Sequence, residues 1–233
     1  KYFIDKKVII IYDSLSSSVS QFGAINVELF EMIYNNVSPN NKYKLLKCID
    51  KAIKMKNKKL IEFVLKQNAP IKSALFEAVS THDVEIVDLI LKYNSKPSFV
   101  NQKRPYLTAI SFETALIYAS RNKDLDIVKR LLSVPGINPS IFGQSNLNAL
   151  TVSINNYDYD IFDAILTFYG DDFCSNTLLF IKTFEKLQEM MYQSDKIVWK
   201  MIKRFLEIKS IDPNYFDKYP LLTKACSDNE IEI

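Results

Sequence analysis

Apolar residues recur along this chain at a spacing that is typical of one buried helix face. The clearest copy places them at positions i, i+1, i+4 and i+5: Ile127, Val128, Leu131 and Leu132. Because a helix has about 3.6 residues per turn, these side chains share one face. A small residue, Ala119, stands eight positions before Ile127. The same combination recurs at Ala52 and Leu60, Ala78 and Ile86, Ser153 and Ile161, and Ala225 and Ile233. The pattern predicts repeated helix pairs in which the small residue allows close approach.

Polar residues fill the short gap between the two helices of each predicted pair. Residues 121–124 form this gap in the clearest copy, and residues 155–158 form it in the next copy. Such residues favour turns. A longer segment with prolines, residues 135–139, follows the second helix, and proline cannot continue a helix. Each unit is therefore predicted to be helix, short turn, helix and proline-containing loop, which makes the chain all-α.

The predicted units are unevenly spaced. The first four small residues are separated by 26, 41 and 34 residues, so residues 94–112 are interpreted as an insertion. The interval from Ser153 to Ala225 has room for one further pair, with helices near residues 178–192 and 196–208. Upstream, residues 27–33 are predicted to be the second helix of a degraded unit whose first helix lies near residues 13–22. An array of this size exceeds the roughly three units that a stable repeat protein needs.

The clearest copy resembles the ankyrin repeat, which has a period of about 33 residues. The matching positions are Thr114, Leu116, Ala119, Leu125, Asp126, Ile127, Val128, Leu131 and Leu132. Ala115 and Ile117 stand where the family has proline and histidine, and the family's turn glycine is replaced by His82, Lys123 or Tyr157. In this divergence the chain resembles the Asn- and Lys-rich ankyrin arrays of some protists and giant viruses.

The resemblance implies an ankyrin-repeat solenoid of stacked helix-turn-helix units with irregular loops. Residues 1–41 are predicted to be an N-terminal segment with a degraded first repeat, and residues 42–233 the array. The last repeat breaks off at Ile233, so we expect the native chain to continue or a partner to cover this end. A tetratricopeptide or HEAT array is the alternative, although those units have longer helices and no extended loop between pairs.

Charge is unevenly distributed, although the net charge is only +3. Residues 42–66 contain nine lysines and two acidic residues. This segment is interpreted either as a solvated face or as a basic patch for an acidic protein, a nucleic acid or an anionic membrane. The candidate patch residues are Lys54, Lys56, Lys58 and Lys59. Because the segment lacks arginine and interleaved aromatic residues, a nucleic acid is the least favoured partner.

The sequence predicts no catalytic, cofactor-binding or metal-binding residues, and we interpret the chain as non-enzymatic with no small-molecule substrate. The single histidine, His82, and three scattered cysteines do not form a familiar zinc pattern. Glycine-rich nucleotide motifs are missing from the sequence. No apolar stretch is long enough to predict a transmembrane span. Three widely spaced cysteines suggest free thiols in a reducing compartment, so a cytoplasmic location, with possible cytoskeletal association, is predicted.

Binding through the first helices and the loop tips is what the ankyrin resemblance implies. On the first helices the candidates are Tyr118 and Arg121, with Glu77, Thr81, Val152 and Asn156 expected to be exposed as well. The loop-tip candidates are Phe142, Gln144, Phe216 and Lys218. The leading hypothesis is a scaffold or adaptor that binds another protein. The alternative is a structural component of a larger cytoskeletal or membrane-associated assembly.

Overall fold

The computed structural model describes residues 27–104, 112–191 and 195–208. Over these residues the secondary structure is helical, with one isolated antiparallel bridge between Lys103 and Thr114 and no strand. The chain divides into two compact units, residues 1–99 and 100–233. The all-α fold that the sequence predicts is confirmed. Among the described helices, none is long and apolar enough to cross a membrane.

From residue 27 onward, where the structure describes it, the first unit has two helix pairs preceded by two further helices. The helices are α1 Val27–Asn36, α2 Pro39–Leu46, α3 Ile49–Lys54, α4 Lys58–Lys66, α5 Ala74–Val79 and α6 Val84–Tyr93. Helices α3 and α4 form one pair and α5 and α6 the next, with α3 against α5 and α4 against α6. The ring of Phe63 on α4 makes edge contacts with Phe30 and Tyr34 on α1, at centroid distances of 5.9 and 5.6 Å. A short helix, α7 Pro97–Val100, lies at the boundary of the two units.

The described residues of the second unit form three helix pairs. The helices are α8 Ala115–Arg121, α9 Leu125–Leu132, α10 Ala149–Asn155, α11 Tyr159–Tyr169, α12 Thr177–Met191 and α13 Lys196–Leu206. The first helices of the pairs, α8, α10 and α12, pack in a row, and the second helices, α9, α11 and α13, form another. Two 3-10 segments, Gln144–Asn146 and Gly170–Ser175, precede α10 and α12. This arrangement places α8 next to α10.

The core follows the apolar pattern of the sequence. The four apolar positions of α9 are all buried, and the equivalent positions of α4, α6 and α11 are buried as well. The small residues Ala52, Ala78, Ala119 and Ser153 are fully buried. The carbonyl oxygen of Ala119 accepts a hydrogen bond of 3.1 Å from the backbone N–H of Asp124, in the turn before α9. The small residue therefore lies where the two helices of a pair are tied together.

A left-handed residue stands in the turn of each of these four helix pairs. Its φ angle is 53° at Lys56, 57° at His82, 61° at Lys123 and 55° at Tyr157. In three of these turns the residue that directly follows it caps the second helix. The side chains of Asn57, Asp83 and Asp158 accept backbone N–H groups of α4, α6 and α11. Three of the four turn positions are those where the resembled family has glycine. The turn geometry is thus retained although its usual residue has been lost.

Replacing Lys123 with glycine is expected to raise the free energy of unfolding by about 1 kcal/mol. A side chain in the left-handed region costs roughly 1–2 kcal/mol, part of which is offset because glycine loses more backbone entropy on folding. Lys129→Gly, on the exposed side of α9, is the matched control and is expected to destabilise by about 1 kcal/mol. Urea denaturation of both variants provides the measurement. Destabilisation by Lys123→Gly as large as that of the control would contradict the argument.

Two regions differ in detail from the sequence prediction. Helix α2 was missed, although it begins at Pro39, and proline is favoured at the first position of a helix. The predicted insertion contains the short helix α7 and the backbone bridge between Lys103 and Thr114. Helices α12 and α13 agree with the predicted ranges to within two residues. The predicted helix at residues 13–22 lies outside the described residues.

Candidate partner-binding surface

The exposed side of α8 carries Tyr118 and Arg121. Thr114 caps this helix, since its side chain accepts the backbone N–H of Ile117 at 3.3 Å. The residues around Tyr118 and Arg121 on α8 are buried, which leaves these two as the accessible side chains of the helix. Residues three apart are neighbours on a helix surface. Tyr118 is half-buried and Arg121 is exposed, so the helix presents an aromatic ring beside a guanidinium group.

Two residues that precede α8 brace this pair. The backbone N–H of Arg104 donates to the carbonyl oxygen of Glu113 at 2.8 Å, next to the Lys103–Thr114 bridge. The guanidinium carbon of Arg104 lies 5.8 Å from the ring centroid of Tyr118, within the range of a cation–π contact. The carboxylate of Glu113 forms an ion pair with Arg121. Arg104 and Glu113 therefore restrict the orientations of Tyr118 and Arg121.

The end of α8 is held by the neighbouring helix pair. The side-chain Nδ2 of Asn156, which follows α10, donates to the carbonyl oxygens of Ser120 and Arg121 at 3.1 and 3.0 Å. Carbonyl groups at a helix C-terminus otherwise lack intrahelical partners. Asn156 satisfies two of them and so fixes the backbone that carries Arg121.

The loop between α9 and α10 contains Phe142 and Gln144, and a side chain near α7 fixes its start. The amide of Asn101 donates to the carbonyl oxygen of Gly136 and accepts the backbone N–H of Asn138, both at 2.8 Å. The side-chain amide of Asn101 thus donates to one backbone group and accepts from another, as backbone amides do between paired strands. This contact holds the part of the loop that leads to Phe142.

A second polar contact fixes the middle of the same loop. The hydroxyl of Ser140 lies 2.6 Å from the hydroxyl of Tyr169 and accepts a hydrogen bond of 2.7 Å from Nδ2 of Asn176. Burial raises the pKa of Tyr169 to about 12, with the hydrogen bond to Ser140 opposing the shift. The phenol therefore stays protonated at neutral pH. The loop is anchored to α11 and to the residue that caps α12 by a neutral network.

The backbone at Gly143 packs closely against α8 and against Phe112, which precedes that helix. A Cβ atom at this position would lie 3.2 Å from the carbonyl oxygen of Phe112 and 3.3 Å from Cδ1 of Ile117. Glycine therefore permits the loop to approach α8. The approach places half-buried Phe142 next to the segment that carries Phe112, whose side chain is 40% exposed.

The predicted basic patch in the first unit is partly compensated by acidic residues of the following helix pair. Nζ of Lys54 lies 3.4 Å from the carboxylate of Glu77. Nζ of Lys58 lies 3.2 Å from the carboxylate of Asp83 and also pairs with Glu85. Burial opposes a lower pKa at Asp83, but hydrogen bonds from Lys58 and from backbone N–H groups outweigh it and lower that pKa. Among the patch residues, Lys54, Lys56 and Lys59 are exposed and Lys58 is half-buried.

Three residues that the sequence analysis placed on the exposed side of the first helices are buried. Glu77 is 6%, Thr81 7% and Val152 2% exposed. Thr81 is buried because its hydroxyl donates to the carbonyl oxygen of Ala78 at 2.7 Å, and Glu77 is buried beside Lys54. Asn156 is half-buried rather than exposed. Among these first-helix candidates, Arg121 is exposed, and Tyr118 and Asn156 are half-buried.

Other ionisable groups in the first unit are structural. Burial raises the pKa of Asp50, while the hydroxyl of Ser73, which donates to both carboxylate oxygens at 3.1 and 2.9 Å, opposes the shift. Burial also raises the pKa of the Cys48 thiol to about 12, so that it is protonated at neutral pH. Within the part of the chain that the structure describes, no three His, Cys, Asp or Glu side chains are grouped to hold a metal ion.

Phe216 and Lys218 lie outside the described residues.

A family model described as ankyrin repeats, in three copies, matches residues 49–143. Residues 49–143 thus match ankyrin repeats. The matched range includes the helix pairs α3/α4, α5/α6 and α8/α9. The pairs α10/α11 and α12/α13 follow the matched range, and the first of them retains the left-handed turn residue and the capping aspartate. No curated protein matches the chain.

The matched repeats belong to a class whose general role is known. Ankyrin repeats are generally protein–protein interaction modules, and the family is typically non-enzymatic. The side chains described above are consistent with that role. Helix α8 presents the ring of Tyr118 and the guanidinium group of Arg121, and the loop between α9 and α10 is held beside them. The fold itself names no partner.

Proposed function

We propose that this protein is a non-enzymatic scaffold or adaptor whose α8 surface binds another protein. The α8 surface consists of Tyr118, Arg121, Arg104 and Phe142, with Gln144 at the loop tip. The observation that supports it best is the bracing of Tyr118 and Arg121 by Arg104, Glu113 and Asn156. The other side chains of α8 are buried, so no other pair on this helix is both accessible and held in place.

Residue type and rigidity both support a binding role. Tyrosine and arginine are over-represented among residues that contribute most to the free energy of protein–protein binding. Ordering a long side chain on binding costs about 0.5–1.5 kcal/mol. Because Arg121 is already paired with Glu113 and Tyr118 is half-buried, part of that cost is met before a partner arrives.

A cytoplasmic location is part of this proposal. The two described cysteines, Cys48 and Cys174, are free thiols, as is usual for proteins of a reducing compartment. Phe216, Lys218 and the patch lysines Lys54, Lys56, Lys58 and Lys59 remain predicted contributors to binding.

Replacing both Tyr118 and Phe142 with alanine is expected to reduce capture of the partner at least about tenfold, since hot-spot truncations cost 2 kcal/mol or more. The measurement is affinity capture with the tagged full chain from its native cell, followed by quantitative mass spectrometry. Far-ultraviolet circular dichroism should stay unchanged, because neither side chain is fully buried. The matched control, Lys129→Ala with Asp126→Ala on the exposed side of α9, should retain capture. Equal capture by both double variants would reject the α8 surface.

A further inference from the structure

The α8 surface is positively charged, and this charge constrains the partner. Residues 100–124 contain four cationic residues, Lys103, Arg104, Arg121 and Lys123, and two acidic residues, Glu113 and Asp124. Lys103, Arg121 and Lys123 are exposed, whereas the side chain of Glu113 is only 13% exposed and is paired with Arg121. The surface therefore presents more positive than negative charge to a partner.

The neighbouring first helix does not compensate this charge. Helix α10 has the sequence ALTVSIN and contains no charged residue. The turn that follows it contains Asn155, Asn156, Tyr157 and Asp158, and the carboxylate of Asp158 accepts the backbone N–H of Ile161 at the start of α11. A partner segment that runs from α8 across the end of α10 thus meets cationic groups, amides and a phenol, but no second carboxylate on these two helices.

The second helices of the same unit differ in charge: α9 carries both signs, α11 carries acidic residues, and α13 carries Lys196, Lys200, Lys203 and Arg204 with no acidic residue. Helix α9 has Asp126 beside Lys129, and on α11 the exposed Asp160 is followed by Asp163, which pairs with Arg204 of α13. Such mixed surfaces are usual for solvated helices. An excess of positive charge therefore occurs on the α8 side and on α13.

We propose that the partner binds the α8 surface through an acidic, aromatic- or apolar-containing protein segment. This inference rests on the proposed function, because it names the chemistry of the partner at the same surface. Carboxylates suit arginine, whose planar guanidinium donates paired hydrogen bonds. Tyr118, stacked under Arg104, offers the adjacent ring for an apolar side chain. Complementary charge also accelerates association and makes it sensitive to salt.

The test uses a fluorescein-labelled Glu-rich peptide that contains one phenylalanine, with a Lys-rich peptide and an oligothymidylate of equal length for comparison. Fluorescence anisotropy against the full chain at low and high salt measures binding. We expect the Glu-rich peptide to bind more tightly than both comparison probes, and added salt to weaken its binding by about tenfold or more, as for exposed charges. Tighter binding of either comparison probe, or no binding of the Glu-rich peptide at low salt, would overturn the inference.

Charge-reversal variants test whether the Glu-rich peptide binds at the α8 surface. Arg104→Glu with Arg121→Glu is expected to abolish binding of the Glu-rich peptide, and Lys129→Glu with Arg130→Glu makes the same change in charge on α9 and should preserve it. Because Arg121→Glu places a second carboxylate near Glu113, the double variant with Gln at both positions keeps the test valid if the Glu variant melts early. Equal loss in the α9 control would overturn the inference. A captured native partner that requires Tyr118 but binds through a basic or neutral segment would uphold the proposed function and reject this inference alone.

Discussion

Phe205→Ala is expected to lower the free energy of unfolding by about 3–5 kcal/mol, the usual cost of truncating a buried phenylalanine. Phe205 on α13 is 1% exposed. Its ring centroid lies 5.4 Å from that of Phe180, 5.9 Å from that of Phe173 and 6.3 Å from that of Phe184. Phe173 and Phe180 are also in contact with each other, at 6.2 Å. Loss of the Phe205 ring therefore opens a cavity at the centre of an aromatic cluster that joins α12, α13 and the 3-10 segment before α12.

Urea denaturation followed by circular dichroism measures this effect. Phe168→Ala, on α11, is the matched control because Phe168 is 42% exposed and contacts only the ring of Tyr169 among the ring pairs of the described residues. Its expected cost is below about 1.5 kcal/mol, since less apolar surface is lost from the interior. Equal destabilisation by the two substitutions would show that the cluster does not pack as described.

Ala119→Leu is expected to destabilise by about 1–3 kcal/mol, the usual range for overpacking a core. Ala119 is fully buried, and its carbonyl oxygen accepts the backbone N–H of Asp124 in the turn to α9. Leucine adds three carbon atoms at this buried position, so α8 must move away from the elements packed against it. Because Tyr118 and Ser120 flank this position, the same movement would disturb the α8 surface and the hydrogen bond from Asn156 to Ser120.

The control for overpacking is Ala164→Leu, at a half-buried position of α11. There the larger side chain can extend into solvent, so the expected change in the free energy of unfolding is within about 0.5 kcal/mol, as for most surface substitutions. The two variants are compared by their urea midpoints. A neutral or stabilising effect of Ala119→Leu would mean that the helices of this pair have room between them.

The helix pairs could be predicted because their signal is local. The apolar stripe of α9 and the small residue Ala119 lie within a few turns of each other in sequence, and helical periodicity links them directly to burial. The left-handed turn at Lys123 was identifiable for a related reason: it occupies the position where the resembled family has glycine. Helix α2 was missed because its apolar positions are few, although its first residue, Pro39, was a usable signal.

The bracing of the α8 surface could not be predicted in the same way. Asn101 and Asn138 are 37 residues apart, and Asn156 and Ser120 are 36 apart. Their hydrogen bonds depend on how successive units pack, which no local pattern specifies. Residue type was likewise misleading at Glu77, a charged residue expected on the surface, because an ion pair with Lys54 accompanies its burial.

The proposal that the α8 surface binds a protein is tested most directly by site-specific photo-cross-linking. A photoreactive amino acid is placed at position 118 in one full-length variant and at position 129 in another, and each is irradiated with the captured partner. We expect a covalent adduct from position 118 and little or none from position 129, which lies on the exposed side of α9. An adduct that forms from position 129 and not from position 118 would contradict the proposal.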